Sequence, residues 1–346
     1  MYYLLKLYNS KIFLFFVLII IFIIGLLFGF NLKEKSVNKV IGIMPTTKQL
    51  RLGYNSSDLI NPLLACDISE SIDFAELAPL KNKINNYILE QKTLGLANRV
   101  SVYYRNLNDG HWTGVDENDK FVAASLIKVP LLMAYMKKAQ AEPKILEQTY
   151  TYDKDDADLQ QEVQKPPTPF VKGKAYSINE LLYRMIAYSG NNSHMVLAQA
   201  IDRDFLKNVY DDLGLSYSDF ELSNGVDNSI SPKTFATFFR ILYNATYLNY
   251  EYSKKALELM VNSTFKDGLA AGLPTDMKVA RKFGERTVHD NATGKVYFRE
   301  LHDCGIIYNS ANPYLLCVMT QGDNFNNLKV VIKNISSLVY NDLNKK

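Results

Sequence analysis

The hydrophobic period of this chain changes twice, and this constrains the fold more than any other feature. Residues 99–104 and 112–115 have the pattern of strands, a long helical block follows, and three further strand-like segments cover residues 278–286, 297–308 and 314–322. Strands this far apart in sequence bury their apolar residues only by meeting in one sheet. The sequence therefore predicts a mixed fold in which helices pack against a shared sheet.

Helical segments surround these strands. An apolar stripe from Leu77 to Ile88 opens the folded region near Phe74, and an amphipathic segment over residues 328–343 closes it. In the helical block, Ser177 is a suitable N-cap because Glu180 follows three residues later. The other predicted helices cover residues 178–188, 192–201, 203–213, 232–243 and 251–261.

A Ser-x-x-Lys pattern, Ser125 to Lys128, stands where an apolar run becomes helical. The serine is predicted beside unpaired N–H groups of the first turn, with the lysine one turn away on the same face. Burial penalises an ammonium group, so we expect the pKa of Lys128 to fall, which lets the amine accept the Ser125 proton. Alternatively, Ser125 only caps the helix and Lys128 extends to water, and the pattern alone favours this second interpretation.

Two further motifs stand at junctions between predicted elements. Ser189-Gly190-Asn191 lies between two helices, where a hydroxyl and an amide can point into a cleft, or where the residues only cap helices. Lys282-Phe283-Gly284 opens the late strands, and glycine beside lysine lets a ligand approach the backbone, although edge-strand lysines are common. Each motif is weak alone, and it is their order after Ser125 that indicates a catalytic site.

The composition of the chain limits the classes of function that we expect for it. The 346 residues are 47% hydrophobic, enough for a sizeable core, and a net charge of +3 gives no reason to expect nucleic acid as a partner. The four histidines are scattered without an H-E-x-x-H pattern, and the three cysteines lack zinc-ligand spacing. We therefore expect neither a metal nor a cofactor.

The first 31 residues are predicted to form a membrane anchor. Residues 12–30 are an unbroken apolar run, which as a helix spans about 28 Å, close to the thickness of a bilayer core. A cleaved signal peptide would need a shorter run and an A-x-A-like site, which residues 31–34 do not provide. We predict an uncleaved single-pass helix over residues 1–31, a linker over residues 32–73 and one catalytic domain over residues 74–346.

The three motifs in this order resemble those of the penicillin-recognising serine hydrolases, which include class A β-lactamases and D,D-peptidases (penicillin-binding proteins). The resemblance covers roughly residue 74 to the C-terminus, and class A β-lactamases are closest in length and helix order. It implies an α+β fold, with a five-stranded antiparallel sheet flanked by helices, an all-helical subdomain and an active site between them. The implied substrate is a β-lactam or a peptidoglycan stem peptide ending in D-Ala-D-Ala, outside the bacterial cytoplasmic membrane.

The resemblance also implies a role for each motif. Ser125 would be the acylated nucleophile, and Lys128 would accept its proton. Ser189 would relay a proton to the leaving nitrogen and Asn191 would hold the substrate amide. Lys282 would give the cleft its positive potential.

The resemblance implies that two backbone N–H groups form the oxyanion hole. One would belong to Ser125, at the start of its helix. The other would follow Gly284 on the strand, from Glu285 or Arg286, so these residues and Phe283 are predicted to bind substrate.

Two departures from the family pattern bear on substrate recognition. Gly190 replaces an aspartate that is structural in the family, and its loss is tolerable. Phe283 replaces a threonine that hydrogen-bonds the substrate carboxylate, which phenylalanine cannot do. We expect Arg281 or Arg286 to bind the carboxylate instead, because a guanidinium group pairs with it bidentately.

Deacylation leaves two hypotheses open. Class A β-lactamases carry a Glu-x-x-x-Asn loop whose glutamate activates the hydrolytic water. The corresponding stretch offers only Glu221 and Asn224, one residue too close together, so an ordinary solvated carboxylate is the favoured interpretation of Glu221. The chain is then either an acyl-serine hydrolase, with fast or slow deacylation, or a non-catalytic cell-wall-binding domain. The intact Ser125 and Lys128 favour the enzyme.

Cys304 and Cys317 are predicted to be cross-strand neighbours. They lie at equal distances from the Ser310-Ala311 turn, as an antiparallel hairpin requires. Whether they are bonded stays open at this point, because Cys66 is a competing partner and Cα atoms more than roughly 7 Å apart would exclude the bond.

Overall fold

The computed structural model describes residues 59–63, 74–153, 161–164, 166–215, 229–290, 292–310 and 312–345. The predicted anchor, most of the predicted linker, Cys66 and Glu221 lie outside the described residues. Within these ranges, no helix has the length and apolar character that a membrane crossing needs.

The strands of the described chain are numbered in sequence order. They are β1 (Arg99–Asn106), β2 (Trp112–Val115), β3 (Phe121–Val122), β4 (Thr149–Thr151), β5 (Ala175–Ser177), β6 (Ser229–Ile230), β7 (Val279–His289), β8 (Val296–Ile307) and β9 (Tyr314–Gly322). The helices are α1 (Ala78–Thr93), α2 (Lys128–Ala141), α3 (Ile178–Ala187), α4 (Asn191–Ala200), α5 (Arg203–Asp212), α6 (Pro232–Asn244), α7 (Tyr250–Val261) and α8 (Phe325–Leu343).

Five strands form one antiparallel sheet in the order β2-β1-β9-β8-β7, which confirms the predicted α+β fold. The early pair joins the late group through β1 and β9, with Val102 opposite Val318. This pairing brings together strands from the two ends of the domain, as the separated strand patterns require. It also makes β7 an edge strand of the sheet.

Two cores lie on opposite faces of the sheet because successive strand side chains alternate. Val318 packs in the core that contains apolar residues of α1 and α8, such as Ile84 and Ile335. Its neighbours Cys317 and Met319 pack in the other core, which is filled mainly by α2, α3, α6 and α7. The helical block therefore covers one face of the sheet, and the first and last helices cover the other.

The predicted cysteine pairing is confirmed. Cys304 lies opposite Cys317 in the register of β8 and β9, and the two form a disulfide with their Cα atoms 3.9 Å apart. Cys304 also lies opposite Lys282 of β7. The bond therefore stands in the middle of the sheet, one strand away from the third motif.

Most element boundaries differ from the predicted ones by only a few residues. Helix α8 begins at Phe325 rather than at residue 328, because the Asn324 side chain accepts a hydrogen bond from the backbone N–H of Asn326. The predicted cap of α3 is confirmed, since Ser177 Oγ accepts from the N–H of Glu180 at 3.1 Å. The short pairs β3–β6 and β4–β5 were not predicted, since two or three residues show no period.

Candidate active site

Ser125 lies in a 3₁₀ turn, Ala124–Ile127, which leads directly into α2. The preceding residue, Ala124, has a left-handed backbone with a φ of 47°. Helix α2 begins at Lys128 and is buried over most of its length, as its apolar sequence predicted. Ser125 is therefore held immediately before the first turn of a buried helix.

Lys128 does not extend to water, so the interpretation of Ser125 and Lys128 as a simple cap with a solvated lysine is wrong. The residue is 2% exposed. Its Nζ lies 2.9 Å from Ser125 Oγ and 2.7 Å from Asn191 Oδ1, and it also donates to the backbone carbonyl of Ser189. One amine thus joins the first and second motifs.

Ser189 occupies the junction between α3 and α4 with a left-handed backbone, at a φ of 59°. Its side chain is buried, and its Oγ accepts a hydrogen bond of 2.7 Å from Lys282 Nζ. The same Oγ lies 3.4 Å from Lys128 Nζ. The Ser189 hydroxyl therefore stands between two lysines.

Gly284 allows β7 to approach the turn that carries Ser125. A Cβ at this position would lie 3.1 Å from the carbonyl oxygen of Ala123 and 3.2 Å from Cγ of Leu126. Both distances are tighter than ordinary van der Waals contact, so a side chain would push the strand and the turn apart. The absence of a side chain fixes the separation between the nucleophile and the third motif.

The structure corrects two predictions for β7. The Phe283 side chain is fully buried and stacks on Phe265, with ring centroids 4.4 Å apart, in the core beside α8. Arg281 is 2% exposed, and its NH1 pairs with Asp303 Oδ2 at 3.0 Å. Neither side chain lines the cleft that contains Ser125.

Burial and like charge shift the pKa values around the site. Burial, followed by the nearby charge of Lys128, holds the pKa of Lys282 well below its ordinary value. Burial and the two lysines lower the pKa of His194 to about 3, so this imidazole is neutral at neutral pH. Burial raises the pKa of Glu285, although its hydrogen bond from Val163 acts in the opposite direction.

A short segment, residues 161–164, contacts both walls of the site and was not predicted. Gln161 is buried, and its Nε2 donates to the carbonyl of Ser189. The N–H of Val163 donates to Glu285 Oε2 at 2.6 Å, and Thr287 Oγ1 donates to Glu162. A polar segment with no hydrophobic period gives no sequence signal for these contacts.

His302 is a second residue that the sequence did not single out. It is fully buried on β8, its Nε2 lies 3.0 Å from the carbonyl of Val122, and its Nδ1 accepts from the N–H of Thr320. Val122 precedes Ser125 by three residues. His302 therefore supports the strand that leads into the nucleophile turn, through a contact that only the sheet register creates.

A cleft of about 610 Å³ opens beside these groups. Ser125, Lys128 and Asn191 line it, as do Glu285 and Arg286, whereas Ser189 and Lys282 are buried and are not part of this lining. The remaining lining residues are Ala124, Ile127, Gln161, Glu162, His194, Thr287 and His289. The five motif residues predicted for the site are thus brought together, and Glu221 lies outside the described residues. In the described part of the chain, no group of three or more His, Cys, Asp or Glu side chains is arranged to hold a metal ion.

Comparison with known proteins identifies the family to which this chain belongs. The model of the beta-lactamase enzyme family matches residues 79–343. The chain belongs to this family. Comparison of the chain with curated proteins finds no match.

Solved structures share the fold of this β-lactamase family member. A β-lactamase from Xanthomonas campestris is 21% identical with a TM-score of 0.61, over 75% of this chain and 97% of that one. A mutant of PBP-A, in an acyl-enzyme complex with penicillin G, is 21% identical with a TM-score of 0.62, over 78% and 98%. A class A β-lactamase from Mycobacterium abscessus is 18% identical with a TM-score of 0.61, over 77% and 99%. At these identities the likeness concerns the fold.

Proposed function

We propose that this chain is an acyl-serine hydrolase that opens β-lactams or cleaves D-Ala-D-Ala peptides through an acyl-Ser125 intermediate. The contact of 2.9 Å between Lys128 Nζ and Ser125 Oγ, at the wall of an open cleft, carries the proposal. Family membership supports the reaction class, and the penicillin G adduct named for PBP-A supports the acyl-serine route.

The partners of Lys128 suit a neutral amine acting as a base. A neutral lysine has two N–H donors and one lone pair. The carbonyl of Ser189 and the Oδ1 of Asn191 can only accept, so they take the two donors. The lone pair is then left for the hydroxyl of Ser125, which is the arrangement that a general base needs.

Acylation follows from these contacts. Ser125 Oγ attacks the carbonyl carbon of the substrate and its proton passes to Lys128 Nζ. The carbon–nitrogen bond then breaks, and the leaving nitrogen takes a proton from Ser189 Oγ, which recovers one from Lys282 at 2.7 Å or from Lys128 at 3.4 Å. Asn191 would hold the substrate amide, and N–H groups of Ser125 and of Glu285 or Arg286 would stabilise the oxyanion.

The rate of deacylation separates a β-lactamase from a slow penicillin-binding D,D-peptidase. Glu221 is the only carboxylate that the family pattern suggests for water activation, and its spacing to Asn224 differs from that pattern. We therefore propose slow deacylation, unless Lys128 or a water bound by Ser189 performs this step. A burst followed by a slow steady state, equal in wild type and Glu221→Gln, is expected. Rapid turnover that is lost in Glu221→Gln would contradict it.

A fluorescent penicillin tests the proposed nucleophile. The wild-type protein should become covalently labelled, and Ser125→Ala should lose the label while keeping its melting temperature. Ser337→Ala, on α8 and outside the cleft lining, is the matched control and should label normally. A wild-type protein that does not label would instead support a non-catalytic cell-wall-binding domain.

We also propose that residues 12–30 anchor the protein in the bacterial cytoplasmic membrane with the catalytic domain outside. The apolar run supports the anchor, and the Cys304–Cys317 disulfide suits an oxidising compartment. Protease added to intact spheroplasts should digest the chain after about residue 31. A cytoplasmic marker protein must stay intact in the same sample, and complete protection of this chain would contradict the topology.

A further inference from the structure

Two of the side chains that the sequence placed near a substrate carboxylate, those of Phe283 and Arg281, do not line the cleft. Phe283 takes the place of the threonine expected from the family pattern, and its ring is packed in the core against Phe265. Arg281 is neutralised by Asp303 in a buried pair, with 3.0 Å between NH1 and Oδ2. Neither residue can contact a carboxylate in the cleft.

The third-motif lysine is also enclosed. Lys282 is 0% exposed, and its Nζ donates to Ser189 Oγ at 2.7 Å and to the carbonyl of Phe283 at 2.6 Å. Gln161 covers the same junction from the cleft side, since it lines the cleft and donates to the carbonyl of Ser189. A carboxylate in the cleft therefore makes no direct contact with the amino group of Lys282.

Two carboxyl groups occupy the wall instead. Glu285 and Glu162 both line the cleft that contains Ser125. The backbone N–H of Val163 holds Glu285 Oε2 at 2.6 Å, whereas Glu285 Oε1 is buried without a hydrogen-bond partner. The carboxyl group of Glu285 is therefore only partly satisfied by hydrogen bonds.

Arg286 is the remaining cation of β7 in the cleft, and it has a carboxylate neighbour. Glu300 lies directly opposite on β8, and the charge of Arg286 lowers the pKa of this glutamate, against the larger effect of burial. Arg286 therefore has an acidic neighbour within the sheet. The side of the cleft formed by β7 consequently favours groups that are not anionic.

We infer that the cleft prefers acyl donors whose group next to β7 is uncharged or cationic over donors that carry a carboxylate there, with Glu285 as the residue that sets this preference. The preference rests on the acyl-serine reaction proposed above. Two carboxylates brought close together in a partly buried cleft repel each other, whereas an ester, an amide or an ammonium group does not suffer this repulsion.

A matched pair of β-lactams tests the preference. Full-length protein in detergent is mixed with penicillin G or with its methyl ester, and the second-order rate of Ser125 acylation is followed by mass spectrometry. The wild type should react with the ester about tenfold faster than with the acid, a factor equal to about 1.4 kcal/mol. Glu285→Gln should bring the ratio close to one by accelerating the reaction with the acid.

The Glu285→Gln change keeps an oxygen that can accept from Val163, so the fold should be retained, and the melting temperature checks this. Glu147→Gln removes one charge from an exposed residue outside the cleft lining and should keep the wild-type ratio. A wild type that prefers the acid, or a ratio unchanged in Glu285→Gln, overturns the role of Glu285. If neither compound acylates the wild type, the proposed function itself fails, so the two failures are distinguishable.

Discussion

Lys282 Nζ donates to Ser189 Oγ at 2.7 Å, and both side chains are almost completely buried. The bond joins the edge strand β7 to the α3–α4 junction, and so connects the third motif to the second. A lysine enclosed in this way is held at a cost in stability, because burial disfavours its charged form. The site should therefore be less stable than an apolar packing of the same shape.

The first prediction concerns the loss of stability that results from burying Lys282. Burial lowers the pKa of Lys282, so the unfolded chain binds the proton more tightly, and this residue destabilises the fold below its unfolded pKa of 10.5. Lys282→Met should raise the free energy of unfolding at pH 7, and the gain should shrink as the pH approaches 10.5. Urea denaturation at pH 7 and pH 10 measures both. Lys278→Met, at an exposed position before β7, is the control and should show no such gain.

Lys128→Met should slow acylation by about 10²–10⁴-fold at neutral pH, because Ser125 loses the amine that lies 2.9 Å from its hydroxyl. Stopped-flow mixing with a chromogenic β-lactam measures the rate. Lys144→Met, which is exposed and outside the cleft lining, should acylate normally. Wild-type acylation by the Lys128 variant would show that another group removes the proton.

His302 should make the fold sensitive to acid. Burial lowers its pKa to about 4 from 6.5. Between these two values the unfolded chain binds a proton that the folded protein does not, so stability is lost as the pH falls from 6.5 to about 4, by roughly 3 kcal/mol in total. His302→Gln keeps a donor for the carbonyl of Val122 without titrating and should flatten this dependence. Equal slopes for wild type and variant would exclude the assignment.

Asp303→Asn should destabilise the protein by about 3–5 kcal/mol, because it leaves the Arg281 guanidinium group buried without its counter-charge. Asp303 Oδ2 also accepts from the N–H of Leu269 at 2.8 Å, which an asparagine oxygen can still do. The double variant Arg281→Met with Asp303→Asn should recover part of the loss, since no unpaired charge remains. A double-mutant cycle by chemical denaturation measures the coupling.

The sequence predicted the fold well because its strongest signals are periodic. Strands β2 and β9 have the predicted boundaries, and the pairing of β8 with β9 follows from the positions of Cys304 and Cys317 around one turn. Alternation and turn position are local properties, so they can be read without knowing the rest of the molecule.

The directions of the β7 side chains could not be predicted from such local patterns. Phe283 and Arg281 were expected near the substrate, but the face that each side chain takes depends on how the strand meets the turn before Ser125. A mixed run such as Arg281-Lys282-Phe283 has no alternation that would reveal its inner face. The register with β8 settles the question.

The supporting contacts of the site were also beyond the sequence. Gln161 meets the carbonyl of Ser189, and His302 meets the carbonyl of Val122, across separations of 28 and 180 residues. Such contacts arise from tertiary packing, and single polar residues carry no periodic signal. The catalytic motifs were recognisable because several residues recur in a fixed order, whereas each supporting residue stands alone.

At Ala124 and Ser189, which have left-handed backbones, the residue that would favour stability differs from the residue that would favour activity. A non-glycine residue in this region costs roughly 1 kcal/mol, and glycine removes the cost at both positions. Glycine at 124 also frees the residue before Ser125, and glycine at 189 deletes the hydroxyl that lies between the lysines. Selection for heat resistance and selection for turnover should therefore choose different residues at these two positions.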